Sequence, residues 1–218
     1  MHKTTCNDRR SAPGASSGSR NLFERQRDGG HHDSGRSHVS LVRQAIFWNQ
    51  KRRYGAILEP ARLWGRTPKV FASLALLYGA LDRRSSPIEP ALRTLITVRV
   101  SQINWCSFCV DVNAATALRR GVVGKKLLAI AAFSDSTLFS EREKAALAYA
   151  EAVTDTRRRP AADQWTRLRR HFNDDAIIEL TALIAFQNMS SKFNAALEVP
   201  HQGFCALAPA LIRDEERP

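Results

Sequence analysis

Two cysteines three residues apart, Cys106 and Cys109 in the stretch NWCSFC, are the side chains of this sequence whose type and spacing most directly permit chemistry. Asn104 reads as a helix N-cap, which would put Cys106 at the second helical position. There the free backbone N–H groups and the positive helix end favour a thiolate. Cys109, three residues on, falls about 60° around the helix and nearly one turn along it. The two Cα atoms would then lie roughly 5–6 Å apart, within the range that a disulfide closes. A pair that opens and closes in this way exchanges disulfides or reduces peroxides. Two other accounts fit the same spacing. The cysteines could be buried and inert, or they could be half of a zinc site completed by His171, His201 or Cys205, although no second knuckle matches. Spacing alone balances the redox and inert readings and gives the zinc reading least support.

Few other residues offer themselves as partners for the pair. Asp111 is close in sequence but points about 200° away from Cys109 around the helix. His201, in PHQGFC, reads as a surface-loop histidine. Arg99 falls on the apolar stripe of Leu92, Ile96 and Ile103, an odd place for a charge. It could stabilise a thiolate across the helix turn, or pair with a core-edge carboxylate such as Glu179. Gln187, Asn188, Ser190, Ser191 and Asn194 interrupt a run that otherwise carries Met189, Phe193 and Leu197. Amides in such a place usually bond neighbouring helix ends, and that structural account is preferred here to a ligand-lining one.

The elements that must position these residues are helical throughout. Val39–Tyr54 is one predicted helix, and Arg62–Leu81 holds one or two more around Pro68. Pro90 opens the helix that leads to the cysteines. The cysteine helix runs to Arg120, with Gly121 as its stop. Lys125–Phe133 is a short helix. Ser140 and Glu143 form a capping box for the next one. Pro160 begins a helix ending near Phe172. Asn173 caps a long one that carries Ile177, Leu180 and Ile184 on one face and stops at Pro200 and Gly203. No segment alternates with period two, so the expected fold class is all-α.

The sequence has 218 residues, 44% of them apolar, enough for one domain with a buried core. Residues 1–38 form a basic tail, expected to be disordered, ahead of a helical domain over 39–218. In that tail the pair His31 and His32 lacks further ligands nearby, and Cys6 stands alone. The net charge of +12 comes largely from the amino-terminal stretch. It reads as a solvated, arginine-rich tail; no basic stripe with interleaved aromatics argues for nucleic acid. The longest apolar run, Val70–Leu81, is too short to span a bilayer. No secretory segment is visible, and a cytoplasmic location is the expectation.

The stretch LITVRVSQINWCSFCVDVN, Leu95 to Asn113, resembles the signature helix pair of the alkylhydroperoxidase D / carboxymuconolactone decarboxylase family. The stretch LFSEREKAALAYAEAV, Leu138 to Val153, is similar to the helix that follows it in that family. The likeness covers roughly residues 60 to 205. It implies an AhpD-like helical domain, a homo-oligomer of three or six copies, and no cofactor or metal. It also implies a peroxide or disulfide substrate and a dithiol electron donor. In redox-active members the second cysteine attacks and the first resolves, which assigns attack to Cys109 and resolution to Cys106. The helix-end argument instead makes Cys106 the more acidic thiol. Members with a working proton relay carry a Glu twelve residues before the first cysteine and a His four after the second. Thr94 and Asn113 stand at those positions. Neither titrates near neutral pH, so neither can serve as a general base. The resemblance therefore implies a thiol peroxidase whose relay is replaced. Its rivals are a decarboxylase of the carboxymuconolactone class and a non-catalytic helical oligomer stapled by its cysteines.

Overall fold

The computed structural model describes residues 37–157 and 159–212. Nearly all of the expected disordered tail, with Cys6, His31 and His32, lies outside the described residues. Among those described, ten α-helices form and no strand. The chain divides into two compact units that meet between Ala72 and Ser73.

In the first unit, α1 (Ser37–Tyr54) begins close to the predicted Val39. Gly55 closes it at φ +75°, its N–H returning to the Lys51 carbonyl. Pro60 sits in the first turn of α2 (Glu59–Trp64), as suits a residue with no N–H to leave unpaired. Pro68 starts α3 (Pro68–Leu81), which crosses the boundary between the units. The Phe47 and Phe71 rings pack 6.3 Å apart within this unit.

The second unit is organised around α4 (Pro90–Ile103), which packs against α5 (Ser107–Arg119), α7 (Glu141–Thr154) and α9 (Asp174–Ala196). Every residue from Leu92 to Val98 is buried, so α4 is the core helix rather than an amphipathic one. Leu95, Ile96, Val98 and Val100 are wholly enclosed. Each large aliphatic side chain so enclosed contributes roughly 1.5–3 kcal/mol relative to exposure. The buried Arg93 is accommodated by the Ile88 carbonyl at 2.8 Å and by Asp82 at 3.3 Å, and Asp82 is shared with Arg120 at 2.7 Å.

Between these helices the chain makes α6 (Gly124–Leu128), a 3-10 turn at Ile130–Ala132, α8 (Ala162–Arg169) and a short α10 (Ala208–Leu211). The single predicted helix over 125–133 is thus two pieces. The helix expected from Pro160 starts at Ala162 and ends three residues short of Phe172. Ser140 and Glu143 form the predicted capping box on α7, and the Asn173 side chain accepts the Ala176 N–H at the start of α9.

Three helix ends share one construction, in which the residue after the cap is left-handed and two N–H groups reach back to the last-turn carbonyls. After α5 this is Gly121, with Val122 N–H on the Ala117 carbonyl. After α4 it is Trp105 at φ +54°, with Cys106 N–H on the Ser101 carbonyl. After α9 it is Glu198 at φ +50°, with Val199 N–H on the Asn194 carbonyl. So α9 stops before Pro200, because the left-handed Glu198 has already turned the chain. A left-handed residue with a Cβ costs about 1–2 kcal/mol. Glu198 is exposed and has a free choice of side chain, so Glu198→Gly should raise stability by about 0.5–1 kcal/mol after the extra entropy of glycine. The check is a higher urea midpoint at unchanged slope.

Candidate functional site

The sharp corner between α4 and α5 brings the two cysteines together. Asn104 ends α4 and does not start α5. The N-cap of α5 is Cys106 itself, whose Sγ accepts the Cys109 N–H at 3.1 Å. The shift has a local cause: Trp105 in the left-handed region reverses the chain, so the new helix can begin only after it. Cys109 therefore stands at the third helical position, directly over the capping sulfur. Both thiols are free and buried. The helix end still bears on Cys106, now through a hydrogen bond to the sulfur from the backbone.

Asn104, released from capping, reaches across to α9. Its amide donates at 2.9 Å to both Asn188 Oδ1 and Ser191 Oγ. Asn188 in turn donates to Thr154 Oγ1 at 3.0 Å. This is the bonding of helix ends expected of the amide-rich segment. The same segment does more, because its phase differs from the one read in the sequence. Gln187, Ser191 and Asn194 continue the stripe of Ile177, Leu180 and Ile184 and are buried, whereas Met189 is exposed. The spacing 177, 180, 184, 187, 191, 194 was the available signal: polar side chains at core-phase positions mark a buried polar seam.

That seam meets the cysteines. Asn194 Nδ2 lies 3.2 Å from Cys109 Sγ. Gln187 Nε2 donates to Ser101 Oγ at 2.9 Å, and Ser101 donates to the Thr97 carbonyl at 2.5 Å. Asn113 Nδ2 reaches the same Ser101 oxygen at 3.3 Å. The structure thus joins Asn113 to the seam through Ser101. Thr94 is turned back into its own helix, donating to the Ala91 carbonyl at 2.8 Å. Burial, and then the neighbouring Cys106 sulfur, push the Cys109 thiol well above the usual thiol range; the amides of Asn194 and Gln187 pull it back.

Arg99 pairs with Glu151 at 2.6 Å and touches the Gln102 side chain, so its partner is a carboxylate of α7. Glu179, the carboxylate offered as an example for that pairing, is held by Arg83 at 2.6 Å. His201 is exposed, as a loop histidine should be. Asp111 is fully buried and accepts the backbone N–H groups of Gln202, Phe204 and Cys205 at 2.9, 3.1 and 2.7 Å. It anchors the loop after α9 to the cysteine helix, a role the sequence did not disclose. Among the described residues no group of three His, Cys, Asp or Glu side chains could hold a metal ion. Among them, too, no helix is long and apolar enough to cross a membrane.

A family model for carboxymuconolactone decarboxylase matches residues 68–152, which include the whole α4–α5 corner. YnjA of Escherichia coli K12, an uncharacterized protein, is 41% identical over 173 residues, covering 78% of this chain and 94% of its own. The chain belongs to the carboxymuconolactone decarboxylase family. Solved structures carry the same fold. A protein of unknown function from Agrobacterium tumefaciens, proposed to be the antioxidant defence protein AhpD, is 26% identical with a TM-score of 0.61, over 64% of this chain and 95% of that one. The alkylhydroperoxidase AhpD core of a peroxidase-related protein from Ralstonia eutropha is 20% identical with a TM-score of 0.65, over 77% of this chain and 91% of that one. The all-α, AhpD-like fold expected from the cysteine region is the fold of the chain.

The raised Cys109 thiol has a consequence for stability. Above the ordinary thiol value of about 8.5 the unfolded chain releases a proton that the folded chain keeps. Stability is unaffected below that value and falls as pH rises beyond it, by at most about 1.4 kcal/mol per pH unit. Urea unfolding between about pH 8 and pH 10 should show this decline, and Cys109→Ala should flatten it.

Proposed function

We propose that this chain is a thiol oxidoreductase that reduces hydroperoxides through Cys109 and Cys106. The observation that carries the reading is the contact at the corner: a buried sulfur capping the helix, with a second sulfur over it and an amide N–H directed at that second sulfur. The proposed antioxidant role of the Agrobacterium protein agrees with it.

The chemistry balances with the groups present. In its ionised form the Cys106 sulfur, which caps the helix beside Cys109, serves as the base for its neighbour. Cys106 takes the Cys109 proton, and the Cys109 thiolate attacks the distal oxygen of the hydroperoxide. The O–O bond breaks, the alkoxide takes a proton from water, and Cys109 is left as a sulfenic acid. The Cys106 thiol then attacks that sulfur. The S–S bond forms and hydroxide leaves with the Cys106 proton as water. A dithiol donor restores both thiols by exchange. This order keeps Cys109 as the attacking sulfur and Cys106 as the resolving one. Thr94 and Asn113 supply no base; Asn113 steadies the seam, and Arg99 with Glu151 holds α4 against α7.

Mild oxidation of the full chain should give a peptide lighter by two hydrogens across Cys106 and Cys109, by mass spectrometry with and without reductant. Cys109→Ser should reduce dithiol-dependent peroxide consumption to background. A wild-type chain that never closes the disulfide would overturn the reading in favour of a non-catalytic helical protein. The double change Thr94→Glu with Asn113→His should raise turnover about tenfold or more, since positioned acid–base groups typically supply about 10²–10⁴. Wild-type turnover equal to that of relatives with the Glu and His would show that another base is at work.

We also infer a homo-oligomer. Its support is an exposed run on α9, with Ile178 and Met189 68% and 42% exposed and Ala182 and Ala185 between them. Light scattering should give a trimer or hexamer, and Ile178→Lys should lower the mass.

A further inference from the structure

Asn194 is 2% exposed, and the two ends of its amide are treated differently. Nδ2 lies 3.2 Å from Cys109 Sγ, while Oδ1 is buried without a hydrogen-bond partner. A buried carbonyl oxygen left unpaired is costly and uncommon. Its neighbours on the seam are otherwise satisfied: Gln187 by Ser101, and Ser191 by the Gln187 carbonyl and by Asn104. The unpaired acceptor belongs to the same amide group whose Nδ2 lies 3.2 Å from the Cys109 sulfur.

We propose that Asn194 is a catalytic residue that grips both atoms of the forming S–O bond, its Nδ2 donating to the Cys109 sulfur and its Oδ1 accepting the distal O–H of the hydroperoxide. The inference rests on the peroxide-reducing reading given above. In the attack, the Cys109 thiolate forms a bond to the distal oxygen and the O–O bond breaks towards the departing alkoxide. The distal hydrogen is not transferred. It stays on the same oxygen, which becomes the sulfenic hydroxyl, so Oδ1 accepts the same hydrogen bond before and after the step. The two amide atoms share one carbon, and they hold the sulfur and the distal oxygen side by side in the geometry that the new bond requires. The groups that set the ionisation of Cys109 are Cys106 from the start of its own helix and Asn194 and Gln187 from α9; no carboxylate or cation is among them.

A disulfide reagent has no O–H, so it separates the two halves of this grip. The test uses the full chain and compares Cys109 reacting with cumene hydroperoxide and with dithiobis(nitrobenzoate), each followed across pH. Asn194→Leu removes both ends of the amide. It should move the reaction with the disulfide reagent to higher pH, and should lower the hydroperoxide rate by about a further tenfold beyond that loss, a value taken from removal of a single hydrogen bond to a transition state. Asn194→Asp keeps an acceptor and loses the donor. Its pH profile should also move upward, while above that pH the ratio of hydroperoxide to disulfide rates returns towards the wild-type value; this variant carries the test if Asn194→Leu does not fold. Equal losses with the two reagents in both variants would reduce Asn194 to packing and overturn the proposal. Wild-type Cys109 that reacts with the disulfide reagent but not with the hydroperoxide would instead overturn the peroxide reading.

Discussion

A buried polar seam is stable only where nearly all of its groups satisfy one another, and that requirement governs the centre of this protein. The seam runs from Thr97 and Ser101 on α4 through Gln187, Ser191 and Asn194 on α9 to the sulfur of Cys109. Each member fixes the next. Ser101 is held by its own helix and receives both Gln187 and Asn113. Asn104 closes the seam from the corner by donating to Asn188 and Ser191. Moving α9 by one residue would carry Gln187, Ser191 and Asn194 away from these groups and leave several donors unpaired, each at about 1–3 kcal/mol. The register of α9 against the α4–α5 corner is therefore set by hydrogen bonds, while the apolar packing around Leu95, Ile96 and Leu180 supplies the bulk of the driving force.

Backbone strain is concentrated beside the same seam. Trp105 and Glu198 are left-handed although neither is glycine, whereas the equivalent position after α5 is Gly121. Trp105 immediately precedes Cys106, and Glu198 follows the turn of α9 that carries Asn194. Left-handed Trp105 makes the corner tight enough for a sulfur to become the N-cap of α5. Strain that survives at such positions is held by its surroundings and is commonly found where chemistry is done. Asp111 contributes from the other side of α5. It binds three backbone N–H groups of the loop after α9, so the cysteine helix is clamped between the amide seam and the chain that leaves it.

The electrostatics of the pair follow from this enclosure. No carboxylate or cation is among the groups that shift the ionisation of Cys109. The cysteines have a helix end on Cys106, amides on Cys109, and each other. Burial first, and then the Cys106 sulfur, raise the Cys109 thiol.

The sequence by itself determined the all-α class, the long Asn173-capped helix, the Ser140 box and the cysteine pair, because each rests on local chemistry: periodicity, a capping side chain, a spacing of three. It also contained, at 177, 180, 184, 187, 191 and 194, the phase of the amide seam, which the alternation with Met189 and Phe193 concealed. Only the tertiary structure decided that Cys106 rather than Asn104 caps α5, that Arg99 belongs to Glu151 and Arg83 to Glu179, and that Asp111 grips a loop some ninety residues away. The physical reason is the same in each case. A hydrogen bond or an ion pair is chosen by which groups burial brings within about 3 Å of one another, and no local pattern in the chain records which helix will lie across the corner.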